Sequence, residues 1–113
     1  EPDWVKRGAH VSSVGYSPPN GELPKDIARQ HRLFVETLDA FQPVPVGCGE
    51  LAGQDPSTGT TLGAVALGRK PGRSNRDEIT VYKAMGVAME DMVAANLAHQ
   101  KAKGAGGGAV MAW

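Results

Sequence analysis

Two short apolar runs separated by a segment of helical spacing constrain this chain more than any other feature. Ala9-His10-Val11-Ser12-Ser13-Val14-Gly15-Tyr16 reads as a strand, bounded by Gly8 and by the turn cluster Ser17-Pro18-Pro19-Asn20-Gly21. From Glu22 to His31 the spacing is helical, with Pro24 pre-set for the first turn and Leu23 and Ile27 on one face. Leu33-Phe34-Val35-Glu36-Thr37 is then a short, nearly continuous apolar strand. Strand, short helix and strand make a βαβ unit, which implies parallel pairing and a right-handed crossover. The expected fold class is α/β, a small parallel sheet with flanking helices.

The rest of the chain extends this pattern. Gln42 to Gly49 holds two prolines and two glycines and is excluded as a regular helix. Thr60 to Gly68 is expected to form a short helix with Leu62, Val65 and Ala66 inward, weakened by Gly63 and flanked by Gly59 and Gly68. Arg69 to Arg76 reads as a basic turn, and Glu78 to Lys83 alternates as a strand. The longest helix is expected from Met85 to Lys103, where Met85, Met89, Val93 and Leu97 form one row and Met92 widens it. Met89 continues that row and is expected in the core. Met92 lies about 60° around the helix and is expected at an interface. Glu90 and Asp91 come early and Lys101 and Lys103 late, as the helix dipole favours, and Gly104 is a suitable stop. Ala109 to Trp113 is expected to close the chain as a strand. With 113 residues and no internal repeat, one domain (1–113) is the simplest account. A domain of that size has a marginal core unless another surface covers it.

Composition narrows the function classes. Twelve basic and twelve acidic side chains cancel, so no global field draws the chain to nucleic acid or an anionic membrane. No apolar run is long enough to span a bilayer, and Glu1 to Trp4 carries no basic-then-apolar signal pattern. The single Cys48 excludes an internal disulfide and a cysteine-built metal cluster, so a reducing, cytoplasmic setting is the expectation. Lying between two glycines without a nearby His, it reads as a buried or neutral thiol. His10, His31 and His99 lack short ligand spacing and accompanying carboxylate or cysteine motifs, so no metal site is expected. Phosphate-cradling glycine loops follow a strand and open a helix. Lys103-Gly104-Ala105-Gly106-Gly107-Gly108 instead follows a helix, and reads as a helix stop or linker. The arginines of 69–76 read as a solvated turn. On the residues alone this is an α/β domain without a self-contained active site.

Three segments taken together carry more. Trp4-Val5-Lys6-Arg7-Gly8-Ala9-His10-Val11-Ser12-Ser13-Val14-Gly15 resembles the pattern W-(V/L)-K-P-G-x-H-(V/I)-(N/S)-(A/S)-(V/I)-G, and Glu22-Leu23 with Leu33-Phe34-Val35 resembles E-L … (V/L)-F-V-(D/E). Gly72-Arg73-Ser74-Asn75-Arg76-Asp77-Glu78-Ile79-Thr80-Val81-Tyr82-Lys83-Ala84-Met85-Gly86, continuing to Ala88-Met89-Glu90-Asp91, is similar to G-R-x-S-x-(D/E)-(E/Q)-I-T-(V/L)-(F/Y)-K-S-x-G-x-A-x-(E/Q)-D. All three patterns are those of the ornithine cyclodeaminase/mu-crystallin family, which the chain resembles over nearly its whole length as a C-terminal half.

The resemblance implies a partial Rossmann-like domain. Its relatives are NAD(P)-dependent and include ornithine cyclodeaminases, alanine dehydrogenases, ketimine reductases and lens mu-crystallins. It implies that Val14 and Gly15 border the nicotinamide and that Ala84, Met85 and Gly86 close over it. The family's G-x-G-x-x-G turn, its ribose-binding acid and the basic residues that grip the substrate carboxylate belong to the other half. Ala84 stands where the family usually has Ser, and Tyr16-Ser17 occupies a stretch where cyclodeaminases place an Asp. No cofactor and no catalytic residue are therefore expected of this chain by itself. The leading expectation is a non-catalytic, self-associating half-domain, most simply a two-fold homodimer. The rival is an enzyme component whose phosphate-binding half lies on another chain or segment.

Overall fold

The computed structural model of the protein describes residues 4–109 and 111. Its elements run β1 (His10–Ser13), α1 (Lys25–Gln30), β2 (Arg32–Val35), β3 (Gly59–Thr61), α2 (Leu62–Ala66), β4 (Thr80–Lys83) and α3 (Ala88–Gly104). Short 3-10 turns at Leu38–Phe41 and Pro56–Thr58 lie between β2 and β3. The strands form one parallel sheet in the order β1-β4-β2-β3. The α/β reading thus holds, with one correction. β1 and β2 are parallel but are not neighbours, because β4 inserts between them. β4 can pair on both sides because Thr80, Val81 and Lys83 are all buried.

Register and strand alternation divide the side chains between the two faces. His10, Thr80 and Arg32 are aligned, as are Ser12, Tyr82 and Phe34, while Val11, Val81 and Leu33 share the opposite face with Ser13, Lys83 and Val35. This second face carries the core. Leu33, Val35 and Val81 pack with Ile27 and Ala28 of α1 and with Ala40, Phe41, Cys48 and Leu51 from the irregular segment after β2. Leu23 and Met85 are half-buried against it. α1 is short because Pro24 caps it and His31 is already extended (φ −122°, ψ 165°). The β2 run Leu33-Phe34-Val35 is fully buried, as expected of a parallel strand covered on both faces.

Three expectations need correction. Thr60 and Thr61 belong to a strand, since pairing Phe34 with Thr60 satisfies backbone groups that a helix start would leave open. Helix α2 is therefore confined to Leu62–Ala66, with Leu62 and Ala66 exposed. Met85 precedes α3 instead of opening it, and α3 buries none of its residues: Met89 is 65 % and Met92 68 % exposed. Met89 is thus not a core residue of this chain. The row at Met89, Val93 and Leu97 exists, but it is exposed along its length.

The glycines after α3 form a helix stop. The N–H groups of Gly106 and Gly107 return to the carbonyls of Lys103 and Ala102, and Gly106 adopts φ +66°. Ala109 and Met111 lie in no strand, and the remainder of the expected terminal strand (110, 112 and 113) is outside the described residues. Arg73 is more than a solvated charge. Its guanidinium donates to the carbonyls of Gly8 and Ala9 and to Thr80 Oγ1 (3.0 Å), stapling the amino ends of β1 and β4.

Candidate functional site

Parallel strands bring their carboxyl ends to one edge of the sheet, and the residues after Ser13, Val35 and Lys83 meet there. The Ala84 N–H donates to the Ser13 carbonyl (2.9 Å), extending the β1–β4 pairing beyond the strands. Val14-Gly15 and Ala84-Met85-Gly86, far apart in sequence, consequently sit side by side. Val14 and Gly86 are exposed, Gly15 and Met85 half-buried and Ala84 buried. Glu36, just past β2, fixes the second segment. One oxygen, Oε2, accepts the N–H groups of both Met85 and Gly86 (3.1 Å each). Gly86 lies at φ +89°, a conformation that favours glycine. A cleft of about 190 Å³ opens beside these segments, lined by Tyr16, Pro45, Val46, Met85 and Gly86. The Tyr16 hydroxyl spans it to donate to the Pro45 carbonyl (3.0 Å).

Beneath the cleft lies a polar cluster that the sequence reading did not single out. Lys83 and Glu50 are both fully buried. Lys83 Nζ lies 2.9 Å from Glu50 Oε1 and 3.6 Å from Glu22 Oε2, and it donates to Ser13 Oγ (3.2 Å) and to the Gly15 carbonyl. Ser13 donates in turn to Glu22 Oε2 (2.9 Å), and the Glu22 N–H donates to Glu50 Oε1 (3.2 Å). A buried charge must be paired and hydrogen-bonded to be tolerated. Burial pushes the Glu50 carboxyl up. Hydrogen bonds from its own backbone N–H, from the Lys83 ammonium and from the Glu22 N–H outweigh that effect and hold it below the usual carboxylate range. Two glycines make room for the cluster. A side chain at Gly15 would occupy the place of the Glu22 carboxylate, and one at Gly21 (φ +82°) that of Glu50.

The remaining candidates stay apart from this edge. Cys48 is buried and donates to the Ala40 carbonyl (3.4 Å). Burial, then the nearby Glu50 charge, push its thiol up, so it is neutral as expected. His10 Nδ1 pairs with Thr80 Oγ1 (2.8 Å) near the opposite end of β4. Among the described residues no group of histidines, cysteines and carboxylates could hold a metal ion, and no helix is long and apolar enough to cross a membrane. A larger hollow of about 360 Å³, bounded by His99, Ala102, Lys103 and Gly107 to Ala109, lies at the far end of α3 and receives nothing from the sheet.

Open α/β sheets bind ligands outside the carboxyl ends of their strands, where the cleft and the five candidate residues lie. Pyrophosphate needs converging N–H groups where a strand turns into a helix. The only glycine-rich turn among the described residues follows α3 instead.

The chain is similar to known proteins over most of its length. The family model described as the ornithine cyclodeaminase/mu-crystallin family matches residues 1–106. The chain is 39 % identical over 98 residues to the mouse (Mus musculus) ketimine reductase mu-crystallin, which covers 86 % of this chain and 30 % of the relative. It is 34 % identical over 106 residues to a Bacillus cereus Delta(1)-pyrroline-2-carboxylate reductase, covering 87 % and 32 %. The Thermococcus litoralis Delta(1)-pyrroline-2-carboxylate reductase, solved in complex with NADH and L-proline, superposes with a TM-score of 0.75 at 29 % identity, over 97 % of this chain and 36 % of that one. The chain thus spans about a third of the length of the relatives it matches. Sheet order, strand-end geometry and sequence converge on one assignment: this chain belongs to the ornithine cyclodeaminase/mu-crystallin family.

Proposed function

We propose that this chain supplies the nicotinamide-side wall of an NAD(P)-dependent amino-acid or imine oxidoreductase or cyclodeaminase site, and is non-catalytic by itself. The observation that carries the reading is the convergence of Val14-Gly15 with Ala84-Met85-Gly86 at the carboxyl ends of adjacent strands, beside the Tyr16–Met85 cleft. The family resemblance implies that this edge borders the nicotinamide, and the Thermococcus litoralis relative is solved in complex with NADH. The phosphate-binding part then comes from polypeptide outside these 113 residues. Binding energy normally shared between two halves is not recovered from one edge. Tyr16-Ser17 offers no carboxylate at the rim, which favours hydride transfer over cyclodeamination.

Titration of the isotope-labelled 113-residue chain with NADH tests this. We expect fast-exchange shifts confined to residues 14–16 and 84–86, with no saturation at micromolar concentration, so an affinity weaker than about −8 kcal/mol. Saturable micromolar binding would refute the half-site, and shifts confined to other residues would refute its placement.

A second reading rests on α3. Its exposed Met89, Met92, Val93 and Leu97 make a continuous apolar row, which water does not favour leaving open. We propose that a second copy of the chain covers it, giving a two-fold homodimer. Light scattering showing a monomer at micromolar and higher concentration would refute this dimer.

A further inference from the structure

We infer that Lys83 is a positioning residue, whose buried ammonium locks the β1–α1 loop (14–21) against β4 and so sets the spacing between the two walls of the proposed cofactor cleft. The inference rests on the nicotinamide reading for its consequence, but the lock is carried by geometry alone.

Lys83 is the last residue of β4 and directly precedes Ala84-Met85-Gly86, so its backbone belongs to one wall. Alternation turns its side chain onto the core face beside Ser13, with which it is in register. From there Nζ reaches the Gly15 carbonyl, which belongs to the other wall. One ammonium therefore bridges both walls, and its remaining donors go to Ser13 Oγ and Glu50 Oε1. Those two partners are themselves tied to the loop's far end, because Ser13 Oγ donates to the Glu22 carboxylate and Glu50 accepts the Glu22 N–H. The loop is thus held at Gly15 and again at Glu22, while the exposed span between them, Tyr16 to Asn20, carries the Tyr16 hydroxyl across the cleft.

Fold maintenance alone would not require this arrangement. Apolar side chains at both 83 and 50 would extend the core face beside Val81 and Val35 with no charge to neutralise. Such a replacement would leave the Gly15 carbonyl without its donor. The Gly15 carbonyl is held inward by Lys83, and the next residue, Tyr16, lines the cleft. Lys83 touches no reacting atom in this arrangement; it acts through Gly15.

The test separates positioning from stability. In the 113-residue chain, Lys83→Met combined with Glu50→Leu removes both charges and keeps the volume apolar. We expect its melting temperature to return to within a few degrees of the unsubstituted chain. Amide exchange at residues 14–21 should nevertheless accelerate tenfold or more, while β2 and β4 keep their protection. A folded double variant with unchanged exchange at 14–21 would overturn the inference.

A measurement on the unsubstituted chain stands independently of how that variant folds. A hydrogen-bond scalar coupling is expected between Lys83 Nζ and the Gly15 carbonyl carbon, with slowed ammonium hydrogen exchange. A Lys83 ammonium that exchanges freely and shows no such coupling would overturn the inference as well. No cofactor enters either experiment, so a failed NADH titration with these results intact would refute the nicotinamide reading and leave the lock standing.

Discussion

Replacing Lys83 alone by Met should be among the most damaging single changes available to this chain, for a reason that can be read from pH. The substitution leaves Glu50 fully buried with its Oε1 reduced to the Glu22 N–H as a donor from outside its own residue, while Oε2 has no partner among the described residues. Removing one member of a buried ion pair costs about 3–5 kcal/mol, because the other charge stays in the interior. A domain of this size has roughly 5–15 kcal/mol in total. At about 4–8 °C per kcal/mol the melting temperature should fall by roughly 12–40 °C near neutral pH.

The pH dependence should also change sign. In the unsubstituted chain the Glu50 carboxyl is held below its ordinary value, so its contribution is complete above the unfolded carboxylate range and is lost as pH falls through the depressed folded value. Without the ammonium, burial dominates and raises the folded value above the unfolded one. Protonation then favours the folded variant as pH falls toward about 5. The gap between the two proteins, followed by circular dichroism melting from about pH 8 to pH 5, should therefore narrow on acidification. A variant that melts within a few degrees of its parent at neutral pH, or a gap that stays constant across the range, would refute the argument.

Two other substitutions probe the surroundings. Gly21→Ala places a methyl group where the Glu50 carboxylate sits, at φ +82°, and should cost about 1–3 kcal/mol by urea unfolding; a neutral result would mean the loop is not seated on Glu50. Met89→Asp and Met92→Asp should each stay folded by circular dichroism, losing about 1 kcal/mol or less, since neither side chain is buried in the chain. Both should abolish dimerisation in size-exclusion chromatography. Unfolding of Met89→Asp would restore it to the core, and a folded, still dimeric Met92→Asp would remove this helix face from the interface.

The sequence determined much of this architecture because local signals were strong. The continuous run at Leu33 to Val35, the alternation at Thr80 to Lys83 and the turn clusters around them specify strands wherever they are placed. The ordered pattern from Gly72 to Asp91 carried the family, and with it the two segments that the sheet brings together. The neutral Cys48, held between glycines, was likewise legible.

The buried pair was only half legible. Alternation puts Lys83 on the face of Val81, so a paired lysine was implied by the register of one strand. Its partner Glu50 lies 33 residues upstream in an irregular segment without periodicity, and only the packing of that segment onto the 17–21 loop brings the charges within 2.9 Å. The position of β4 between β1 and β2 was equally a tertiary decision, since strand order depends on which neighbours bury a strand and not on the strand's own pattern. The fate of Met89 follows the same rule. A helical row of apolar residues states that a face is to be covered, but whether the cover comes from this sheet or from another surface is settled by where the helix lies, and α3, which starts at Ala88, buries none of its residues.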